Sequence, residues 1–219
     1  HLENYKQVLQ LKGLGLAALV SVGRTIIGTI CTVLASAFLG FMFTQERMWR
    51  RKLWYRLMVV TMYFNAGLIP MFLTMQNLHL TNSFWVYVIP VIVQPFNIIL
   101  VKTYMESIPR SLQEAAEIDG ANGLKRFFHI TLPMLSPTMF MVTILSLISS
   151  FQVFDLISIM TEGGPGRATN VLVYRIYQEG FKYLNFGYAS AMAYFLFLII
   201  LIITLIQFRG QKKWVTYMQ

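Results

Sequence analysis

Charge is scarce in this chain. Of its 219 residues only 12% are Asp, Glu, Lys or Arg, and nine of these are acidic. A soluble domain of ordinary composition carries about twice that fraction, so there is too little charge here to cover a water-facing surface. Cysteine is nearly absent: with Cys31 alone, an internal disulfide and a multi-cysteine metal site are both excluded. The three histidines, His1, His79 and His129, are scattered without carboxylate or cysteine partners at ligand spacing, and no metal is assigned. No Gly-rich turn runs into Gly-Lys-Ser or Gly-Lys-Thr, so the chain cannot cradle ATP by that route. The apolar segments also hold no nucleophile–base or metal constellation, which argues against an intramembrane enzyme.

Hydrophobic residues are what the chain has in abundance, at 56%. They come in blocks of about 20, the helix length that crosses ~30 Å of hydrocarbon. Five blocks, near 16–43, 57–75, 84–101, 134–160 and 187–208, predict an all-α polytopic membrane protein with five transmembrane helices, a single domain over 1–219. The first block carries Gly23, Gly28 and Gly40 among Ser21, Thr25, Thr29, Thr32 and Ser36, small residues that let helix backbones approach closely in lipid. Arg24, near its outer end, either snorkels or pairs, or faces a cavity as a functional charge. Pro70, Pro90 and Pro95 each remove a backbone donor inside a predicted helix, and the third span is expected to kink. Polar groups are costly in lipid, so Asn65, Gln94, Asn97, Ser149, Gln152 and Asp155 are expected to face the bundle interior. There they serve either helix–helix hydrogen bonds or solute contact.

The net charge of +9 has to be read by its placement. Arg47, Arg50, Arg51, Lys52 and Arg56, then Lys102, Arg110, Lys125 and Arg126, then Arg209, Lys212 and Lys213 fall on alternate loops. The loop between the last two spans holds only Arg167, Arg175 and Lys182. This asymmetry is the positive-inside pattern, placing the amino terminus outside and the carboxyl terminus in the cytoplasm. The basic charge thus orients the chain and touches anionic membrane lipid; no nucleic acid is implied.

A polar island at 104–133 interrupts the apolar blocks on the cytoplasmic side. Pro109 and Ser111 give helix-start signals, with Ala115, Ala116 and Ile118 as a small apolar face. Asp119-Gly120 breaks that helix, since glycine takes positive φ readily. A second helix is predicted over 122–131, with Leu124, Phe127, Phe128 and Ile130 available for burial, until Pro133 turns the chain into the membrane. The reading is a helix-turn-helix at the inner surface.

Glu114-Ala115-Ala116, three residues, Gly120, nine residues, Ile130, one residue, Leu132-Pro133: this spacing resembles the signature loop of the membrane-spanning subunits of bacterial ABC importers. Ile108-Pro109, Ile118-Asp119-Gly120-Ala121, Gly163-Gly164-Pro165-Gly166 and Gly187-Tyr188-Ala189-Ser190-Ala191 extend the likeness along the chain, toward the carbohydrate-importer branch. Before the island, Met62-Tyr63-Phe64 and Gly67-Leu68-Ile69-Pro70 look like the permeases of polysaccharide-fragment importers; after it, the sequence looks more like those of maltose and glycerol-phosphate systems. Members of that family carry at least one more amino-terminal span, so a span ahead of His1 is expected.

The resemblance implies a permease of the bacterial cytoplasmic membrane that imports a carbohydrate and is not itself an enzyme. It implies three protein partners: a dimer of ATP-binding cassette subunits, a second homologous permease, and an extracytoplasmic solute-binding protein. The chain would bind no cofactor, ATP belonging to the partner subunit. Glu114, Ala115, Ala116, Gly120, Ile130, Leu132 and Pro133 would form the coupling loop. Gln152 matches the span that lines the sugar site in maltose-type permeases, and Phe151, Phe154 and Tyr188 could stack on a sugar ring. Glu162 and Arg167 would face the solute-binding protein. The alternative is a secondary transporter or channel without an ATPase partner, which would need mid-membrane carboxylates and often inverted repeats; only Asp155 comes near that requirement.

Overall fold

Helix α1 (Leu14–Thr44) is built inside out. Its large apolar side chains Leu19, Ile26, Ile30, Leu34 and Phe38 are exposed, while Ser21, Arg24, Thr25, Thr29, Thr32 and Ser36 are buried. That inversion suits lipid: tails outside are as apolar as leucine, so helices associate through small residues and interhelical hydrogen bonds. The computed structural model describes residues 14–64, 66–81, 83–109, 111, 115–116, 118, 120–160 and 171–215.

Every regular element among them is helical. After α1 come α2 (Arg51–Tyr63), α3 (Leu68–Asn77), two short 3₁₀ turns (Phe84–Tyr87 and Ile89–Val91) and α4 (Pro95–Ser107). Then follow α5 (Gly123–Arg126), a π turn (Phe127–Thr131), α6 (Leu132–Met134), α7 (Ser136–Phe151) and α8 (Asp155–Met160). Helix α9 (Leu172–Tyr177), a second π turn (Gln178–Lys182) and α10 (Phe186–Trp214) complete the order.

Two helices are long and apolar enough to span by themselves, over Ala17–Thr44 and Phe186–Lys212, and three broken pairs bring the number of candidate spans to five. The breaks differ from the sequence expectation in two ways. Prolines begin helices here: Pro95 opens α4, Pro90 lies in the first turn of its 3₁₀ element, and Pro70 is the third residue of α3. A missing N–H costs little in a first turn because that donor has no intrahelical partner. Pro70 keeps its carbonyl engaged, accepting from Thr74 Oγ1 at 2.8 Å. The fourth span, expected to reach Met160, instead stops at Phe151, and α8 is a separate helix.

The chain divides into two compact units, one of His1–Thr29, Ala66–Ile92 and Ser146–Ile206, the other of Ile30–Asn65, Val93–Leu145 and Gln207–Gln219. In the first unit Met75, Val86, Ile157, Val171 and Tyr174 form one buried cluster, and Leu172, Ala191 and Met192 a second. Ser21 Oγ accepts the Leu172 backbone N–H at 3.4 Å, one of the hydroxyl contacts that replace apolar packing. In the second unit the core is Ala37, Val101, Met105, Ile108, Leu135, Met139 and Val142. Helices α1 and α4 meet there at Gly40, where a Cβ would lie 2.8 Å from Val101 Cγ1 and 3.3 Å from the Lys102 backbone nitrogen.

Candidate functional site

In the polar island, Ser111, Ala115, Ala116 and Ile118 are helical, and Glu114 lies outside the described residues. The stop at Gly120 has a definite mechanism. Gly120 takes φ +73°, and the Ala121 N–H donates back across it to the Ala116 carbonyl at 2.9 Å. A bond spanning five residues around a left-handed glycine is the Schellman ending, which satisfies a carbonyl that the finished helix would otherwise leave open. The next helix is capped at once: Asn122 Oδ1 accepts the Lys125 N–H at 2.9 Å, and the Asn122 carbonyl accepts the Arg126 N–H at 3.0 Å. Stop and start are thus only two residues apart.

The second helix departs from expectation. It is not a plain α-helix ending at Thr131, because Phe127–Thr131 widens to a π turn and helix resumes through Met134. In a regular α-helix the ring of Pro133 would clash with the carbonyl four residues back, at His129; the wider turn falls where that conflict arises. The chain then bends by 66° between Phe127–Met134 and Ser136–Phe151, so redirection comes just after Pro133. Phe127 packs edge-on against Phe41 at 5.0 Å, whereas Phe128, one of the residues available for burial, is exposed. Ile130 and Leu132 are half-buried and Pro133 exposed. Ala116 is buried and Ala115 exposed, while Ile118, at 87% exposure, presents an apolar side chain left uncovered among the described residues.

The break after α7 gathers a second set of residues. Arg24 is only 2% exposed, so it does not snorkel. Its Nη1 donates to the Ser150 carbonyl at 2.9 Å. Ser150 belongs to the last turn of α7, whose carbonyls lack intrahelical donors, and a guanidinium there also suits the negative end of the helix dipole. Arg24 therefore caps α7 from another helix, which the sequence could only offer as one option for a charge in a span. The hydroxyls of Thr25 and Thr29 on the same face are buried and meet no hydrogen-bond partner among the described residues.

Around this cap, Ser149, Gln152 and Asp155 cluster within seven positions of chain and are exposed. Gln94, at the N-cap of α4, is exposed too, whereas Asn97 is buried within α4; both belong to the other unit. The interior of this single chain thus takes up only Asn97 of the five described polar candidates. Asn65, Glu162 and Arg167 lie outside the described residues. Phe151 and Tyr188 are occupied in packing. Phe154 instead joins an aromatic row that sequence reading did not find: its ring is 4.8 Å from Tyr177, which stacks on Phe181 at 5.7 Å, which meets Phe186 at 6.4 Å. The i, i+4 spacing of Tyr177 and Phe181 was the available signal.

Three comparisons bear on this arrangement. The family model described as binding-protein-dependent transport system inner membrane component matches residues 17–214. The sn-glycerol-3-phosphate transport system permease protein UgpA of Brucella abortus is 41% identical over 123 residues, which cover 56% of this chain and 42% of that protein. Its counterpart in Agrobacterium fabrum is 40% identical over the same length, so the chain spans less than half of these curated relatives. Among solved structures, a bacterial ABC transporter involved in the import of the acidic polysaccharide alginate superposes with a TM-score of 0.72 at 26% identity, covering 97% of this chain and 79% of that one. A bacterial alginate ABC transporter in complex with an alginate pentasaccharide-bound periplasmic protein gives 0.75 at 16% identity, with coverage of 96% and 82%.

Proposed function

The chain belongs to the binding-protein-dependent transport system inner membrane components, and from that membership we propose that it is a translocation-pathway subunit of an ATP-driven carbohydrate importer. The observation that carries the proposal is the family match across 17–214, which runs through the Glu-Ala-Ala island and the spans on both sides of it. Such a permease needs an ATP-binding cassette dimer to hydrolyse ATP, a second homologous permease to complete the pathway, and an extracytoplasmic solute-binding protein to deliver solute.

In this reading the island is the mechanical input. Ala115 and Ala116 permit close approach of the ATPase surface, Glu114 pairs with a basic residue on it, and Gly120 holds the elbow. Ile118 adds an exposed apolar contact. ATP favours the closed ATPase dimer, and the island transmits that preference as a population shift toward the outward-facing arrangement of the spans. At the break after α7, Gln152, Ser149 and Asp155 offer hydrogen-bonding groups to a hydroxylated solute, with Phe154 and its aromatic neighbours beside them.

The experiment is uptake by the reconstituted importer carrying Gly120→Pro or Glu114→Lys. Both variants should lose solute transport while the isolated ATP-binding subunit stays active. Wild-type transport by both would sink the coupling role, and purification of a chain that transports alone would overturn the importer reading itself.

A further inference from the structure

The turn joining α1 to α2 carries cations that the proposed transport cycle does not use. Arg50, Arg51, Lys52 and Arg56 line one open groove of about 480 Å³ together with Met48 and Leu53, and Glu46 is the one carboxylate among its lining residues. Arg51 is committed locally, its Nη1 donating to the Thr44 carbonyl at 2.8 Å and tying the start of α2 to the end of α1. Arg50, Lys52 and Arg56 are exposed. Arg50 sits at φ 48°, a left-handed conformation uncommon for a side-chain-bearing residue. There its guanidinium lies over the Trp49 ring, 4.8 Å from the centroid. Trp49 is 70% exposed, and Leu53, Trp54 and Leu57 are exposed beside it on α2.

The groove's depth in the membrane follows from the chain. Helix α1 is a span that ends at Thr44, and the basic loops lie on the cytoplasmic side. Indole rings settle at the headgroup level. No residue of α2 is buried, so packing within the chain leaves the cations available.

We infer that this groove binds the headgroup of an anionic phospholipid of the inner leaflet. Arg50, Lys52 and Arg56 hold the phosphate, and the acyl chains lie along Leu53, Trp54 and Leu57. Residues 53 and 57 are one helical turn apart and share a face with 54. A lipid fits better than a soluble anion because apolar and aromatic groups adjoin the cations. It fits better than a protein partner because the charge sits within a Debye length of the leaflet's own negative surface.

The test places the chain in nanodiscs and follows Trp49 and Trp54 fluorescence in a Trp85→Phe/Trp214→Phe background. Brominated phosphatidylglycerol should quench at low mole fraction, and brominated phosphatidylcholine should not. Arg50→Gln/Lys52→Gln/Arg56→Gln should raise the half-quenching fraction by more than tenfold, at about fivefold per cation. Arg209→Gln/Lys212→Gln, at the inner end of α10, should leave it within twofold. If the triple variant does not fold, Lys52→Gln alone should give the fivefold shift. Four results overturn the site: unchanged quenching in these variants, equal quenching by the choline lipid, release by millimolar inorganic phosphate, or loss of quenching when the ATP-binding subunit is added, which would mark a protein-docking face.

Discussion

At Gly40 helix α1 approaches α4 too closely for an added Cβ, and its substitution gives a prediction whose size follows from the geometry. The added Cβ in Gly40→Ala would meet Val101 Cγ1 at 2.8 Å, Val101 Cβ at 3.1 Å and the Lys102 backbone nitrogen at 3.3 Å. Carbon atoms pack best at about 3.5–4.0 Å. Val101 cannot rotate out of the way, because a β-branched side chain in a helix holds one χ1 rotamer in ~90% of cases. The Lys102 nitrogen moves only if α4 moves. Overpacking of this kind costs about 1–3 kcal/mol, against which alanine gains about 1 kcal/mol over glycine as a helix former. Gly28 provides the matched control: its Cβ would meet only Ser150 Oγ, at an ordinary 3.7 Å. Gly28→Ala should therefore be neutral or more stable by up to about 1 kcal/mol. Reversible unfolding of the purified chain in mixed micelles should separate the two variants by roughly 1–3 kcal/mol. Gly40→Ala/Val101→Ala should show a favourable coupling of at least ~1 kcal/mol relative to the single changes. Equal stability of Gly40→Ala and Gly28→Ala, or strict additivity in that cycle, refutes the reasoning.

Three further outcomes are expected. Arg24→Met should destabilise the same preparation by about 1.5–3 kcal/mol, the range for a hydrogen bond to a charged group, with Arg24→Lys recovering part of the loss in the same unfolding assay. Glu106→Gln, which breaks the i, i+4 pair with Lys102 at 2.7 Å, should cost about 0.5 kcal/mol and less in high salt, because the Glu106 carboxylate is half-exposed to water although the Lys102 side chain is mostly covered. Deleting Ile130 should convert the π turn of Phe127–Thr131 to α while α7 keeps its facing, since a π turn holds one residue more than an α turn; the Pro133 ring then meets the carbonyl four residues back, and the same unfolding assay should show a loss of about 3 kcal/mol.

The long spans were legible because an apolar run of about 20 residues has no other stable state in lipid: 16–43 and 187–208 were expected, and Ala17–Thr44 and Phe186–Lys212 are found. Gly120 was legible for a local reason, since a glycine after a short helix is the ordinary stop. The end of α7 was not. Residues 152–154, Gln-Val-Phe, contain no breaker, and two distant contacts accompany the break: Arg24 takes the Ser150 carbonyl and the Phe154 ring packs with Tyr177. The π turn left no signal except Pro133. The exposure of Ser149, Gln152 and Asp155 was hidden as well, because hydropathy states that a polar group should leave lipid without saying which surface receives it.

The contact between Arg24 and Ser150 also sets a clock for biogenesis. The two residues are 126 positions apart. At about 5–20 residues per second of synthesis, the carbonyl that receives the guanidinium emerges on the order of 10 s after the arginine. During that interval a charge that would cost about 2.5–3.5 kcal/mol at mid-membrane, and less at the outer part of the span where Arg24 lies, has to be tolerated by a nascent helix that has not met α7. Helix α1 would then be held loosely, or at the mouth of the insertion machinery, until α7 arrives. Slow codons placed between the two would lengthen that exposure and lower the yield of inserted protein without changing a single residue.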